Sequence, residues 1–365
     1  MQKKLYSILI LIFVVFSINL SNLFSYSVYN YTYKGNYQRT GYLESNVKSN
    51  TIKAWVNKSI SEAREICFIK DKLVVVTKDN KIYALNERTS NIEWEYKIYT
   101  QITSKLTYNE EKLYFGTYEG KIVCLNWATG KEIWSYPIFG SIYTSPLIID
   151  NSLIFGSLNG KLYSFDKLSG GKLWEYNSGS SIESSPAYDG RNIVFCNTRG
   201  YIYYLSPNGK LIWSYNSNNT IVTTSLILDK SIVANTYEGS LLSLDYNGKL
   251  LWCSKISPYT KYPPVSHGGI IYQLCSDGLL YAYNSTNGLQ LWYSGLNKGK
   301  ATPIITNNYL IYPSGDKWLN LIDKQNGKKI MQFEELYEDI IDFTVSSKYL
   351  FYLTGTSKIY AFETF

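Results

Sequence analysis

The sequence predicts an all-β chain: an eight-bladed β-propeller of four-stranded antiparallel blades, closed by an N-terminal strand that completes the last blade. Three observations predict it. Tryptophans recur at Trp94, Trp134, Trp174, Trp213, Trp252 and Trp292, at intervals of 40, 40, 39, 39 and 40 residues, and Met331 holds the next slot 39 residues on. A period of about 40 residues filled with short strands is what one propeller blade leaves in a sequence. Each anchor ends a hairpin like that of residues 124–134, Cys-Leu-Asn-Trp-Ala-Thr-Gly-Lys-Glu-Ile-Trp, whose tight turn is built on Thr129 and Gly130. Helical periodicity is nearly absent beyond the first residues, while 36 Tyr together with Ile, Leu, Val and Thr crowd short alternating runs.

The hairpin returns at 84–94, 164–174, 204–213, 243–252 and 282–292, with a degraded copy at 321–331. Its first position is small in most copies (Ala84, Cys124, Ser164, Ser243, Ala282, Ala361), which leaves room for an indole to lie flat beside it. We expect each of Trp55, Trp94, Trp134, Trp174, Trp213, Trp252 and Trp292 to dock one blade on the next. Tyr204 and Leu321 break the small-residue rule, so their blades should pack differently there.

Within a blade the strand order is legible in residues 144–176. An innermost strand turns at Asp150-Asn151, a second strand turns at Asn159-Gly160, a third turns at Ser169-Gly170, and the outer strand carries Trp174. One such sheet cannot bury both faces alone, so blades must stack around an axis. Trp55 is an anchor without a hairpin before it, 39 residues ahead of Trp94, and the run 357–365 is half a hairpin without an anchor after it. Pairing the two completes an eighth blade and removes an open edge. Seven blades with two loose ends would leave apolar strands without partners.

Residues 1–27 read as a secretory leader: Lys3 and Lys4, an apolar run over 7–16, then small polar residues ending at Ser25 and Ser27. The rival reading is an uncleaved signal anchor, since the run is nearly long enough to span a bilayer. Either way the propeller is expected outside the cytoplasm, in the periplasm, cell envelope or medium. Residues 28–50 read as a polar arm lying on the propeller, which occupies 51–365.

The formal charge of +7 is modest and not gathered into basic blocks, which excludes a nucleic-acid footprint. Five cysteines, Cys67, Cys124, Cys196, Cys253 and Cys275, show no metal-like spacing and each falls in an expected strand. They read as small core residues, with Cys253 and Cys275 the first pair to check for a disulfide. His267, the only histidine, reads as a packed or rim residue. The run Gly116 to Lys121 lacks the length and the hydroxyl of a phosphate loop and reads as a hairpin turn. Asp71, Asp150, Asp189 and Asp229 sit at equivalent inner turns, where an aspartate accepts backbone N–H bonds. The loops between blades carry Tyr99, Phe139, Tyr143, Tyr259, Tyr262 and Tyr337, expected to gather at one rim and to offer a partner-binding surface.

The repeat Ala-x-Asn-x-x-Thr-Gly-x-x-x-Trp, best matched at 124–134 and 282–292, resembles the tryptophan-docking motif of pyrroloquinoline quinone (PQQ)-type propellers. The lead-in Gly35-Asn-Tyr-Gln-Arg-Thr-Gly41 also looks like the segment preceding such propellers. The resemblance covers about 33–365 and implies two candidate functions. Quinoprotein dehydrogenases oxidise alcohols or sugars with PQQ and a calcium ion at the axis. Non-catalytic relatives, such as the lipoprotein of the outer-membrane β-barrel assembly machinery, bind proteins with a bare propeller. This chain lacks the adjacent Cys-Cys pair and the long excursions of the dehydrogenases, and no cysteine in its leader offers a lipid anchor. The resemblance therefore implies a monomeric, non-enzymatic protein-binding scaffold without cofactor, PQQ and calcium belonging to the alternative. Carbohydrate binding through the rim tyrosines is a third reading.

Overall fold

The structure, a computed structural model, describes residues 34–47, 52–256, 260, 262–295, 301–314, 317–332 and 338–364. Thirty-two strands form eight four-stranded antiparallel sheets, and in seven of them the order follows the chain from innermost to outer strand. Blades 1 to 7 span 63–97, 107–137, 147–177, 187–216, 226–255, 265–294 and 304–332. Blade 8 is built from both ends of the described chain: Ile340–Val345, Tyr349–Thr354 and Ile359–Glu363 are joined by Ile52–Asn57 as outer strand. The register sets Trp55 opposite Ala361 and Val56 opposite Tyr360, so the ring closes by backbone pairing and no blade lacks its fourth strand.

The strands form where the residues dictate. Innermost to third strands are buried on nearly every position, as in Lys72–Thr77, whereas outer strands alternate around a single anchor, as in Lys172–Asn177. Asn159-Gly160, Arg199-Gly200 and their counterparts make the turns between second and third strands. The stretch Gly116 to Lys121 is such a turn, between Lys112–Gly116 and Lys121–Asn126.

The indoles lie between blades. Trp94, Trp134, Trp174, Trp213 and Trp252 each donate their Nε1–H to a carbonyl of the next blade's hairpin, on Trp127, Lys167, Pro207, Tyr246 and Ser285, at 2.8–3.3 Å. Trp55 does the same across the closure, to Glu87 at 2.9 Å. Trp292 is the exception: its buried nitrogen has no partner, and the equivalent carbonyl of Lys324 accepts the Tyr272 hydroxyl at 3.0 Å. Each ring also lies on the glycine of that next hairpin. Gly130 takes φ +68°, and a Cβ there would sit 2.6 Å from Trp94 Cε3, so both the backbone and the indole demand glycine. Ser90 holds the corresponding left-handed position, φ 59°, in the hairpin that receives Trp55.

Two blades depart from the pattern where the sequence departs from it. Tyr204 stacks flat on Trp213, ring centroids 5.0 Å apart and 17° between planes, and its hydroxyl donates to Asp189. Leu321 pairs with Met331, which supplies apolar contact but no indole donor.

The cysteines require three corrections. All five are free, so a Cys253–Cys275 disulfide is not formed, and Cys253 is exposed on the outer strand of blade 5 rather than in the core, while Cys275 is buried in blade 6. Cys275 also lies just past its strand, which ends at Leu274. The inner-turn aspartates divide by role. Asp189 accepts from the amides of Arg191 and Asn192 at 2.7 and 2.6 Å, Asp150 takes a left-handed φ of 51°, and Asp71 accepts the Trp127 indole at 3.3 Å. No helix among the described residues is long and apolar enough to cross a membrane.

Replacing Gly130 with Ala should lower unfolding free energy by about 2 kcal/mol or more, from backbone strain plus the displaced Trp94 ring. Gly179→Ala, at φ +76° with nothing within 4 Å of the added Cβ, should cost only the strain, about 1 kcal/mol. Urea denaturation of the two variants checks this; equal losses would contradict the packing account.

Candidate functional site: the axial cavity and its arm

Residues 34–47 cross the end of the ring where innermost strands turn into second strands. The crossing follows the blade period. The carbonyl of Tyr37 accepts from Tyr188 N–H of blade 4, Gln38 from Ile227 of blade 5, Thr40 from Ser266 of blade 6 and Gly41 from Ile305 of blade 7, at 2.7–3.1 Å. Ser45 then donates to the Ser346 carbonyl of blade 8 at 2.9 Å. A short extended segment thus satisfies inner edges of five consecutive blades.

Arg39 fixes the arm from beneath. Its fully buried guanidinium donates from Nε and Nη2 to the Pro186 carbonyl at 3.1 and 3.0 Å, and from Nη2 to the Pro146 carbonyl at 3.4 Å. Proline carbonyls suit this use, because each stands in an irregular stretch just before an innermost strand, off the sheet ladders.

Beneath the arm lies a cavity of about 290 Å³ on the axis, walled by the inner strands or lead-ins of blades 1, 2, 6, 7 and 8. It is charged. Lys34, Arg64 and Lys105 bring three cations, Glu65 and Asp342 two carboxylates. Lys105 and Glu65 pair at 3.1 Å, Lys34 donates to the Pro264 carbonyl, and Arg64 donates to the Ile102 carbonyl while its Nε is buried without a partner. Burial, with the Arg39 guanidinium adding to it, holds the Lys34 ammonium well below the ordinary lysine range.

Asp342 joins blade 8 to blade 1. One carboxylate oxygen accepts the Ile66 amide at 3.0 Å, the other the Phe343 amide at 3.0 Å. Burial pushes this carboxyl up to about 6, Lys105 opposing and Glu65 reinforcing the shift.

The charge balance of this lining does not fit a calcium ion. Calcium takes six to eight oxygen ligands, and here two carboxylates, Glu65 and Asp342, stand among three basic side chains, with Glu65 paired to Lys105. No group of three or more His, Cys, Asp or Glu among the described residues is placed to hold a metal.

The loop aromatics divide. Tyr99 and Phe139 are 98% and 89% exposed and Tyr143 is 41% exposed, at the end of the ring opposite the arm. Tyr262 is half-buried: it lines the axial cavity and packs against the core of blades 6 and 7. Tyr259 and Tyr337 lie outside the described residues. His267 stacks on Tyr42 of the arm, centroids 4.5 Å apart at 17°, and burial together with Lys324 lowers its pKa. Sequence reasoning missed Arg39 and Asp342 as functional positions. The signal for Arg39 was present, a basic residue inside the short polar stretch 35–41.

With this geometry the comparisons become informative. The profile of the family described as outer membrane protein assembly factor BamB matches residues 94–292 and 237–352. The chain belongs to this family. Among solved structures, BamB from Moraxella catarrhalis superposes with a TM-score of 0.73 at 19% identity, over 86% of this chain and 100% of that one. The computationally designed Ika8 protein gives 0.73 at 15% identity, over 85% and 99%. Quinohemoprotein alcohol dehydrogenase from Comamonas testosteroni gives 0.75 at 13% identity, over 91% of this chain and 80% of that one. At such identities the structural likenesses establish the shared propeller. No curated protein matches the sequence.

The Asp342 carboxyl gives a pH test. Unfolded, it titrates near 4; folded, near 6. Between those values the native state holds the extra proton, so this stabilisation is complete below about pH 4 and is lost as pH rises through 6. Relative to Asp342→Asn, the wild type should lose about 1–3 kcal/mol between pH 4 and pH 7. Parallel denaturant titrations measure it; a difference independent of pH would contradict the assignment.

Proposed function

We propose that the chain is an exported, non-enzymatic propeller that acts as a protein-interaction scaffold in the cell envelope or outside the cell. The observation that carries this reading is the family match across 94–352, a family described by a role in outer membrane protein assembly. Two features support it. Anchor intervals vary by a single residue, which leaves almost no inserted chain for a substrate lid, and the axial carboxylates are already engaged. Acids, bases or ligands that converge on a reacting atom are what an enzyme requires. Export rests on the leader read at 1–27.

The dehydrogenase reading is the alternative favoured by a specific observation, the superposition on quinoprotein enzymes. One experiment separates the two. Purified protein supplied with PQQ and calcium should give no alcohol- or aldose-dependent dye reduction, and cross-linking in intact cells should join it to an envelope protein. Substrate-dependent dye reduction would overturn the scaffold reading.

A further inference from the structure

On the arm side, the second residue of the outer hairpin lies over the cleft between its own blade and the preceding one in blades 2, 3, 5 and 7, while in blade 4 the position is Pro207. Trp127 fills the cleft between blades 1 and 2, 2% exposed and edge-on to Tyr108. Lys167 fills the next, 4% exposed, reaching Asn109 at 2.9 Å and Glu110 at 3.1 Å. Tyr246 and Lys324 lie over theirs, donating to backbone carbonyls of their own blades. In blade 6 the position is Ser285, whose side chain ends at one hydroxyl. The cleft between blades 5 and 6 is open there, a groove of about 720 Å³. That is the size range of ligand sites.

The lining has two characters. Ile227, Leu228 and Leu251 supply a branched aliphatic floor, while Gln38 and Thr40 of the arm with Ser266 and Thr286 of blade 6 supply amide and hydroxyl walls. Asp229 and Lys230 cancel in charge. The groove opens outward at Leu251, 49% exposed, next in the chain to Leu250, 39% exposed, and Leu211 and Ile212 on the outer strand of blade 4 are 48% and 51% exposed. The outer strand Leu211–Asn216 carries no charged residue and Leu250–Lys255 one lysine, whereas Ile92–Lys97 of blade 1 carries Glu93, Glu95 and Lys97. Charges of that kind are what keep an exposed strand from pairing with another chain.

We infer that this groove is a binding site for an extended, uncharged segment of a partner polypeptide, with alternate apolar side chains on the aliphatic floor and its backbone amides against the hydroxyl and amide walls. The inference rests on the scaffold reading and names the surface that reading uses. A peptide fits better than a sugar. Sugar sites reward an open aromatic face, and the two rings that line this groove, His267 and Tyr42, are stacked on each other. Aliphatic floors reward buried apolar side chains.

The test is selection of a random-sequence peptide display library on the intact chain, followed by affinity measurement of the enriched peptides. Uncharged peptides with alternating apolar residues should enrich. Their affinity should fall about tenfold or more, roughly 1.4 kcal/mol, on Ser285→Trp and Ser285→Lys, which restore the side chains of Trp127 and Lys167 and so suit the fold. Leu251→Ser should weaken the same peptides, with thermal melting confirming that each variant is folded. Failure of any peptide to enrich, equal binding to all variants, or Ser285-dependent binding of a neutral oligosaccharide panel instead would overturn the proposal. Cell cross-linking of Ser285→Trp separates it from its premise: a partner retained by the variant, with peptides binding equally, sinks the groove and leaves the scaffold standing.

Discussion

The docking of an indole on the next blade's hairpin is the interaction on which the ring depends. A four-stranded sheet has two apolar faces, and each blade can cover its faces only with its neighbours. The indole makes that contact directional. Its ring lies on a glycine in a left-handed turn and its N–H finds one carbonyl of that turn, as Trp94 does on Gly130 and Trp127. Flat contact sets the spacing between blades and the hydrogen bond sets their rotation, so repetition around the axis follows from a local geometry. Where the indole is missing at Met331, the blades meet through apolar packing.

Closure and the axial end are consequences. A ring of such contacts has a first and a last member, and Ile52–Asn57 supplies the strand that lets the last blade present Trp55 to the first. At the inner edges the same periodicity leaves equivalent N–H groups on successive blades, and the arm meets them one carbonyl at a time from Tyr37 to Gly41. Arg39 beneath the arm, and Asp342 between the first and last blades, then place buried charges at this end of the ring.

The fold was legible because tryptophan is scarce and its spacing is rigid. Eight blades and the pairing of the strand around Trp55 with that through Tyr360 to Phe362 follow from counting anchors, and the four-strand order follows from the turn residues. The site was legible only in outline. Arg39 was visible as a basic residue in a polar stretch, but its acceptors lie 107 and 147 residues away, and nothing in local sequence points to a proline carbonyl. Tyr262 reads like any loop tyrosine until the arm is seen to roof the cavity that it lines. Ser285 carries no signal alone; it acquires meaning beside Trp127, Lys167 and Tyr246, which occupy the same turn in other blades. Cys253 and Cys275 were the first pair to check for a disulfide, but one is exposed on an outer strand and the other is buried in the next blade.

The groove between blades 5 and 6 is walled by two neighbouring blades, and the closed ring is what holds it in shape. Closure is therefore the claim to measure. In a chain with exposed Cys253 changed to Ser, Val56→Cys and Tyr360→Cys place a cysteine pair at facing positions of the closing strands. Mild oxidation followed by non-reducing electrophoresis should give an internally cross-linked monomer that migrates faster than the reduced chain. Failure to cross-link in the folded protein, or cross-links formed only between chains, would contradict closure of the ring by its own two ends.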